Sequence, residues 1–123
     1  MDKVKTFKIK QRFKGVEELY SYLLKHADFI GQSVGIQVQK PLHQKTFCII
    51  GKEKITERQI LFYASKQNFP ESLGELIVFA SAFDIDIVVF FLPNISNNYL
   101  MPLNWLQKIC TADYEIIVMQ AGF

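Results

Sequence analysis

An α/β fold, with a mixed β-sheet sandwiched by helices, follows from three features of this 123-residue chain. The first is a change of period. Leu73-Gly74-Glu75-Leu76-Ile77-Val78-Phe79-Ala80-Ser81-Ala82-Phe83 is spaced as a helix, and it gives way to Asp84-Ile85-Asp86-Ile87-Val88-Val89-Phe90-Phe91, which is rich in β-branched and aromatic residues. Such a change marks a crossover helix feeding a buried strand. The second is a set of three short apolar runs upstream of that helix, parted by turn residues, which reads as an antiparallel meander. The third is the absence of strict strand-helix alternation, which separates the chain from a Rossmann domain.

Taken from the start, residues 7–13 alternate, with Phe7, Ile9 and Phe13 on one face and Lys8, Lys10 and Arg12 on the other, as in a half-buried strand. Gly15 breaks it. Residues 16–27 then follow helical spacing through Leu19, Tyr20, Leu23, Leu24 and Ala27, with Glu17 and Glu18 placed to complement the helix dipole and Gly31 expected to close the element. Strands are expected at 34–39 and 46–50, separated by Pro41, whose missing donor excludes it from an interior ladder. Residues 51–54 read as a polar turn and 55–65 as a third strand centred on Ile60-Leu61-Phe62-Tyr63-Ala64. Pro70 and Glu71 suit the first turn of a helix over 70–83, whose Gly74, Ala80 and Ala82 allow close approach to a sheet. A central strand at 85–92, a loop at 93–98, a helix at 96–109 with Pro102 in its first turn or before it, and a last strand at 114–119 complete the chain as one domain.

Half of the residues are apolar, enough for one core without a metal or disulfide. No apolar run approaches the roughly 20 residues of a bilayer span, and Met1-Asp2-Lys3-Val4-Lys5 lacks the apolar segment of a secretory signal, so the expected location is cytoplasmic with no membrane partner. Cys48 and Cys110 read as small buried hydrophobes with free thiols, a bridge between them being the alternative. The net charge of +2 is unevenly spread: residues 1–58 carry +6 and residues 59–123 carry −4. Lys3, Lys5, Lys8, Lys10, Arg12 and Lys14 crowd the first 14 positions, a density that suits a polyanion.

The order of elements resembles the restriction-endonuclease-like, or PD-(D/E)XK, superfamily, whose core is α-β-β-β-α-β; here it would carry an extra N-terminal basic strand. Within that superfamily the chain is similar to bacterial domains in which a crossover helix of the type L-G-Q-L-x-x-Y-A-A-G-L leads to a strand and then to a helix ending in a-L-x-W-L-N. The matching segments are residues 73–83 and Leu103-Asn104-Trp105-Leu106-Gln107, with Glu17-Glu18-Leu19-Tyr20 to Phe29-Ile30-Gly31 resembling the first helix of that group. The likeness covers residues 16–119, is strongest over 73–106, and rests largely on packing residues. It implies a fold, since fold alone does not transfer activity.

Hydrolysis in that superfamily needs carboxylates that hold a divalent ion, with an Asp on the second core strand and Glu-x-Lys or Glu-x-Gln on the third. No aspartate lies between Asp28 and Asp84, so the strand around Cys48 offers nothing to a metal. Counting back from Leu73-Gly74 sets Phe62-Tyr63-Ala64 where Glu-x-Gln is expected, and hard cations prefer oxygen donors these side chains lack apart from a phenol. Glu57-Arg58-Gln59 is the one Glu-x-Gln in the chain and would serve only if the register were shifted; otherwise Glu57 is a solvated residue beside a turn. Glu75 could assist a metal only beside another carboxylate, and otherwise lies on the exposed side of its helix. Asp84 and Asp86 would share a face at a strand entrance, either as a carboxylate pair or as solvated acids. His26 and His43 lack zinc-site spacing, no glycine-rich phosphate loop is present, and Ser21, Ser33, Ser65, Ser72 and Ser81 lack a nucleophile-elbow context.

The sequence therefore leads to a non-catalytic nuclease-like domain with no catalytic, metal or cofactor residues. It is expected to bind nucleic acid through Lys8, Lys10, Arg12 and Lys14, or protein, and the resemblance sets it in bacterial DNA restriction or defence. An active nuclease using Glu17, Glu57 and Glu75 is one alternative. A protein-interaction module whose basic strand only prevents edge-to-edge sheet association is the other. Phe69, Phe91, Tyr99, Met101 and Phe123 fall at loops or termini where a monomer leaves some uncovered, making a homodimer the expected assembly.

Overall fold

The computed structural model describes residues 4–45, 47–64, 69–109 and 114–123, with the backbone alone at 29–32. The sequence-based readings of Lys3, Thr46, Ser65 and Cys110 fall outside these residues. The elements are β1 (Lys5–Arg12), α1 (Val16–Val34), β2 (Val38–Gln44), β3 (Cys48–Glu53), β4 (Gln59–Ala64), α2 (Phe69–Ala82), β5 (Ile87–Leu92), α3 (Asn97–Ile109) and β6 (Glu115–Gly122). The six strands form one mixed sheet in the order β1-β6-β5-β4-β3-β2. Strands β2, β3 and β4 make the expected antiparallel meander, whereas β4, β5, β6 and β1 run parallel.

Alternation along each strand divides the core in two. Ile49, Ile60, Phe62, Ile87, Val89, Phe91, Ile117 and Met119 pack with Leu19, Tyr20, Leu23 and Ala27 of α1 on one face. On the other face, Cys48, Leu61, Tyr63, Val88, Phe90, Ile116 and Val118 pack with Leu76 and Ala80 of α2 and Leu103 of α3. All six residues of β5 are buried, as a strand covered on both faces requires. Two side-chain amides fasten α3 to the sheet. Asn104 Oδ1 accepts the Val4 N–H (2.8 Å), and Gln107 accepts the Ile116 N–H (2.7 Å) while donating to the Tyr114 carbonyl (2.8 Å).

Several boundaries differ from expectation. α1 continues through Gly31 to Val34 across non-helical backbone at His26, and Gly35, at φ 77°, ends it. Pro41 lies inside β2 because β2 is an edge strand whose pairing is irregular between Gln39 and His43, so no interior ladder loses a donor there. Gly51, Lys52 and Glu53 extend β3 instead of turning. The absent side chain of Gly51 leaves room for Leu42, whose Cδ2 would lie 2.5 Å from a Cβ at that position. Ile55 stands exposed in the following turn, outside β4. Pro102 falls in the second turn of α3, and the Asn98 carbonyl that loses its partner belongs to an exposed residue that water can reach. Gly74 and Ala82 face solvent, leaving Ala80 as the small residue against the sheet. Phe91 is fully buried in β5, Phe69 stacks on Tyr99 with ring centroids 4.7 Å apart, and Phe123 packs against the core on the α1 face, so of the five residues among which some were expected to stand uncovered only Met101 is exposed, the others being buried or half-buried.

Candidate nucleic-acid interface

Parallel pairing brings the C-terminal ends of β1, β6 and β5 to one edge of the sheet, where Phe13 N–H donates to the Gly122 carbonyl at 2.7 Å. The carboxyl edge of a parallel sheet is the usual place for a ligand crevice in open α/β folds. A concavity of about 550 Å³ opens there, lined by Lys8, Lys10 and Arg12 of β1 together with Asn94, Gln120 and Phe123. The ladder is irregular between Lys8, opposite Gln120, and Arg12, opposite Gly122, so four positions of β1 span two of β6. The two extra residues preserve parity, and all three cations reach the same hollow.

Phe7 and Ile9 pack against the α1-side core and Phe13 is buried in it, so the row is mounted on a fixed strand. Lys5 is drawn aside by Glu115, at 3.7 Å. Among the described residues no ion pair holds Lys8, Lys10 or Arg12. Lys14 is exposed in the connection to α1 but does not line the concavity. The first turn of α3, which follows Pro93 and Asn94 of the concavity, carries no acid, whereas Glu17 and Glu18 offset the positive end of α1.

The positions where a hydrolytic centre is expected are packed differently. Cys48 pairs across the ladder with Tyr63, and around them Phe79 meets Tyr63 edge-on at 5.9 Å and stacks on Phe47 at 6.4 Å. Tyr63 Oη donates to Glu75 Oε1 at 2.5 Å, so Glu75 is half-buried against the sheet and not on the solvent side of α2 as its spacing suggested. From the other face Tyr20 of α1 reaches the same strand end: its Oη accepts the Ala64 N–H at 2.8 Å and donates to the Phe47 carbonyl at 2.8 Å. Burial pushes the Tyr20 phenol well above its ordinary value. Neither tyrosine's polar role was legible from the sequence, because both occupy apolar positions of regular elements.

The other acidic candidates are dispersed. Glu57 sits in the turn before β4 at φ 59°, exposed, and six positions along the strand from Tyr63 put it roughly 20 Å away. Asp84 is in a left-handed turn at φ 52°, while Asp86 accepts the Gln59 N–H at 3.0 Å, so the two do not share a strand face. His26 and His43 are exposed on α1 and β2. Among the described residues, no three His, Cys, Asp or Glu side chains gather as metal ligands would, and no helix is long and apolar enough to cross a membrane.

Cys48 is buried, its thiol unbridged. Desolvation raises its pKa to about 11, with Glu75 adding to the rise and Lys45 opposing it. At pH 8 on the order of one thiol in a thousand is ionised, so native protein carrying Cys110→Ser should react with a thiol reagent only after denaturation. Labelling at the rate of an unfolded cysteine would contradict this packing. Unfolding also returns the thiol to its ordinary value near 9, so its contribution to stability is intact below that pH and is lost as the pH rises through about 11.

No family model, curated protein or solved structure matches this chain.

Proposed function

We propose that this chain is a restriction-endonuclease-like domain that binds nucleic acid without cleaving it. One observation carries the reading: Lys8, Lys10 and Arg12 line a single concavity at the carboxyl edge of the sheet, on a strand anchored by Phe7, Ile9 and Phe13. Cations held along a rigid element meet successive phosphates at small ordering cost, and release of condensed counterions supplies the affinity. The order α1, β2, β3, β4, α2, β5 is compatible with the α-β-β-β-α-β core of that superfamily. Cys48 and Phe62, where the resemblance sets the ligating carboxylates, carry no oxygen donor for a hard cation, which supports the non-catalytic part of the reading. The resemblance sets this binding in bacterial DNA restriction or defence.

Incubation with plasmid, linear duplex and single-stranded DNA tests the proposal. Duplex should be retarded at low salt and remain intact in magnesium or manganese. Failure to bind at low salt removes the nucleic-acid role. Cleavage that disappears with Glu57→Ala or Glu75→Ala removes the non-catalytic one.

A further inference from the structure

The two faces of the sheet meet solvent differently. The outward side of α1 presents Glu17, Glu18, Ser21 and Lys25, as a solvated helix should. Outward residues of α2 and α3 are largely apolar or small. In α2, Glu71 and Glu75 are the only ionisable side chains, and Glu75 is turned toward Tyr63. In α3 only Lys108 is charged.

Met101, Trp105 and Ile109 recur every four residues along α3 and are 69%, 61% and 58% exposed, while Ile77 and Val78 of α2 are 47% and 61% exposed. Between the helices runs a largely apolar groove of about 440 Å³, walled by Ile77, Ala80, Leu103 and Leu106, floored by Val88 and Ile116, and also lined by Asp84 and Asp86. We propose that this α2-α3 layer is the interface of a homodimer, with Trp105 of each copy buried against the layer of the other.

Area and charge select a second copy as the occupant. The five exposed side chains leave on the order of 500 Å² uncovered per protomer, more than half of the roughly 800 Å² that each partner gives to a stable interface, and the groove and helix shoulders supply more. A patch of this size reaches the upper range found uncovered on monomers. A two-fold interface sets the same patch against itself, which charge on the facing positions would resist; Met101, Trp105, Ile109, Ile77 and Val78 carry none, while Asp84 and Asp86 line the groove beside them. With the axis across α3 near Trp105, Met101 of one copy meets Ile109 of the other along the i, i+4 ridge. The two Lys108 side chains then lie at opposite ends, as do the two Glu71. This assembly does not depend on the nucleic-acid reading, because the concavity of β1 lies elsewhere.

Trp105 is the only tryptophan, so its emission reports the interface directly. Sedimentation equilibrium of the full chain should give twice the 14.3 kDa monomer mass, and dilution should red-shift the emission and increase quenching by acrylamide. Trp105→Glu and, separately, Met101→Lys should give the monomer mass with an unchanged circular dichroism spectrum, since neither side chain is in the core. A monomer at every concentration would overturn the proposal and assign the patch to another occupant. So would a dimer in which Trp105 stays fully quenchable, or one that survives both substitutions. If either variant unfolds, the dilution series on the unaltered chain still decides.

Discussion

Replacing Phe90 with alanine is expected to lower unfolding stability by about 3–5 kcal/mol, the range for truncating a buried aromatic. Phe90 lies in β5 with no exposed surface. Its ring meets Tyr63 edge-on at 5.6 Å and stacks on Phe69 at 6.1 Å, so it joins β4, β5 and the start of α2. Truncation strips away this apolar packing and leaves a cavity that three elements would have to collapse to fill. Chemical denaturation monitored by circular dichroism measures the loss. A cost below about 1 kcal/mol would mean that α2 does not cover β5 as described.

Tyr20→Phe tests the opposite kind of interaction, at an expected cost of about 2–3 kcal/mol. The ring keeps its packing, but the buried Ala64 N–H loses its acceptor and the Phe47 carbonyl its donor. An orphaned buried donor costs more than a typical hydrogen bond contributes, because its desolvation is no longer offset. The hydroxyl also ties α1 to the ends of β3 and β4, so amide exchange at Ala64 should accelerate beyond the global change. Equal stability and unchanged exchange in the variant would show that the phenol does not hold this edge.

Much of the sheet was legible because periods of two and of 3.6 are written in residue types. The alternation around Phe7, Ile9 and Phe13, the all-apolar β5, and the change of period after Phe83 each gave an element of the right type. Boundaries failed where tertiary context decided them. Pro41 looked like an interruption because nothing local shows that β2 is an edge, and Gly51 looked like a turn because the crowding by Leu42 arises across the ladder. Trp105 read as packing because it lies among apolar helix positions, yet the phase of α3 is set by Leu103, which turns Trp105 outward.

The site was legible in part for the same reason. The cations of β1 are adjacent in sequence and share a face by alternation, so their row could be read directly. Asn94, Gln120 and Phe123 complete the concavity only because β6 inserts between β5 and β1, a pairing that local patterns do not specify.

The most direct test of nucleic-acid binding is the salt dependence of duplex affinity for the unaltered chain and for a variant carrying Lys8→Ser, Lys10→Ser and Arg12→Ser. If the row meets phosphates, a plot of log affinity against log salt falls steeply for the unaltered chain. The variant should bind more weakly, with a slope shallower by up to about 0.9 for each phosphate that is no longer neutralised. Equal affinity and equal slope in the two proteins, with the variant prone to aggregate, would contradict the account and leave the cations as protection for an exposed sheet edge.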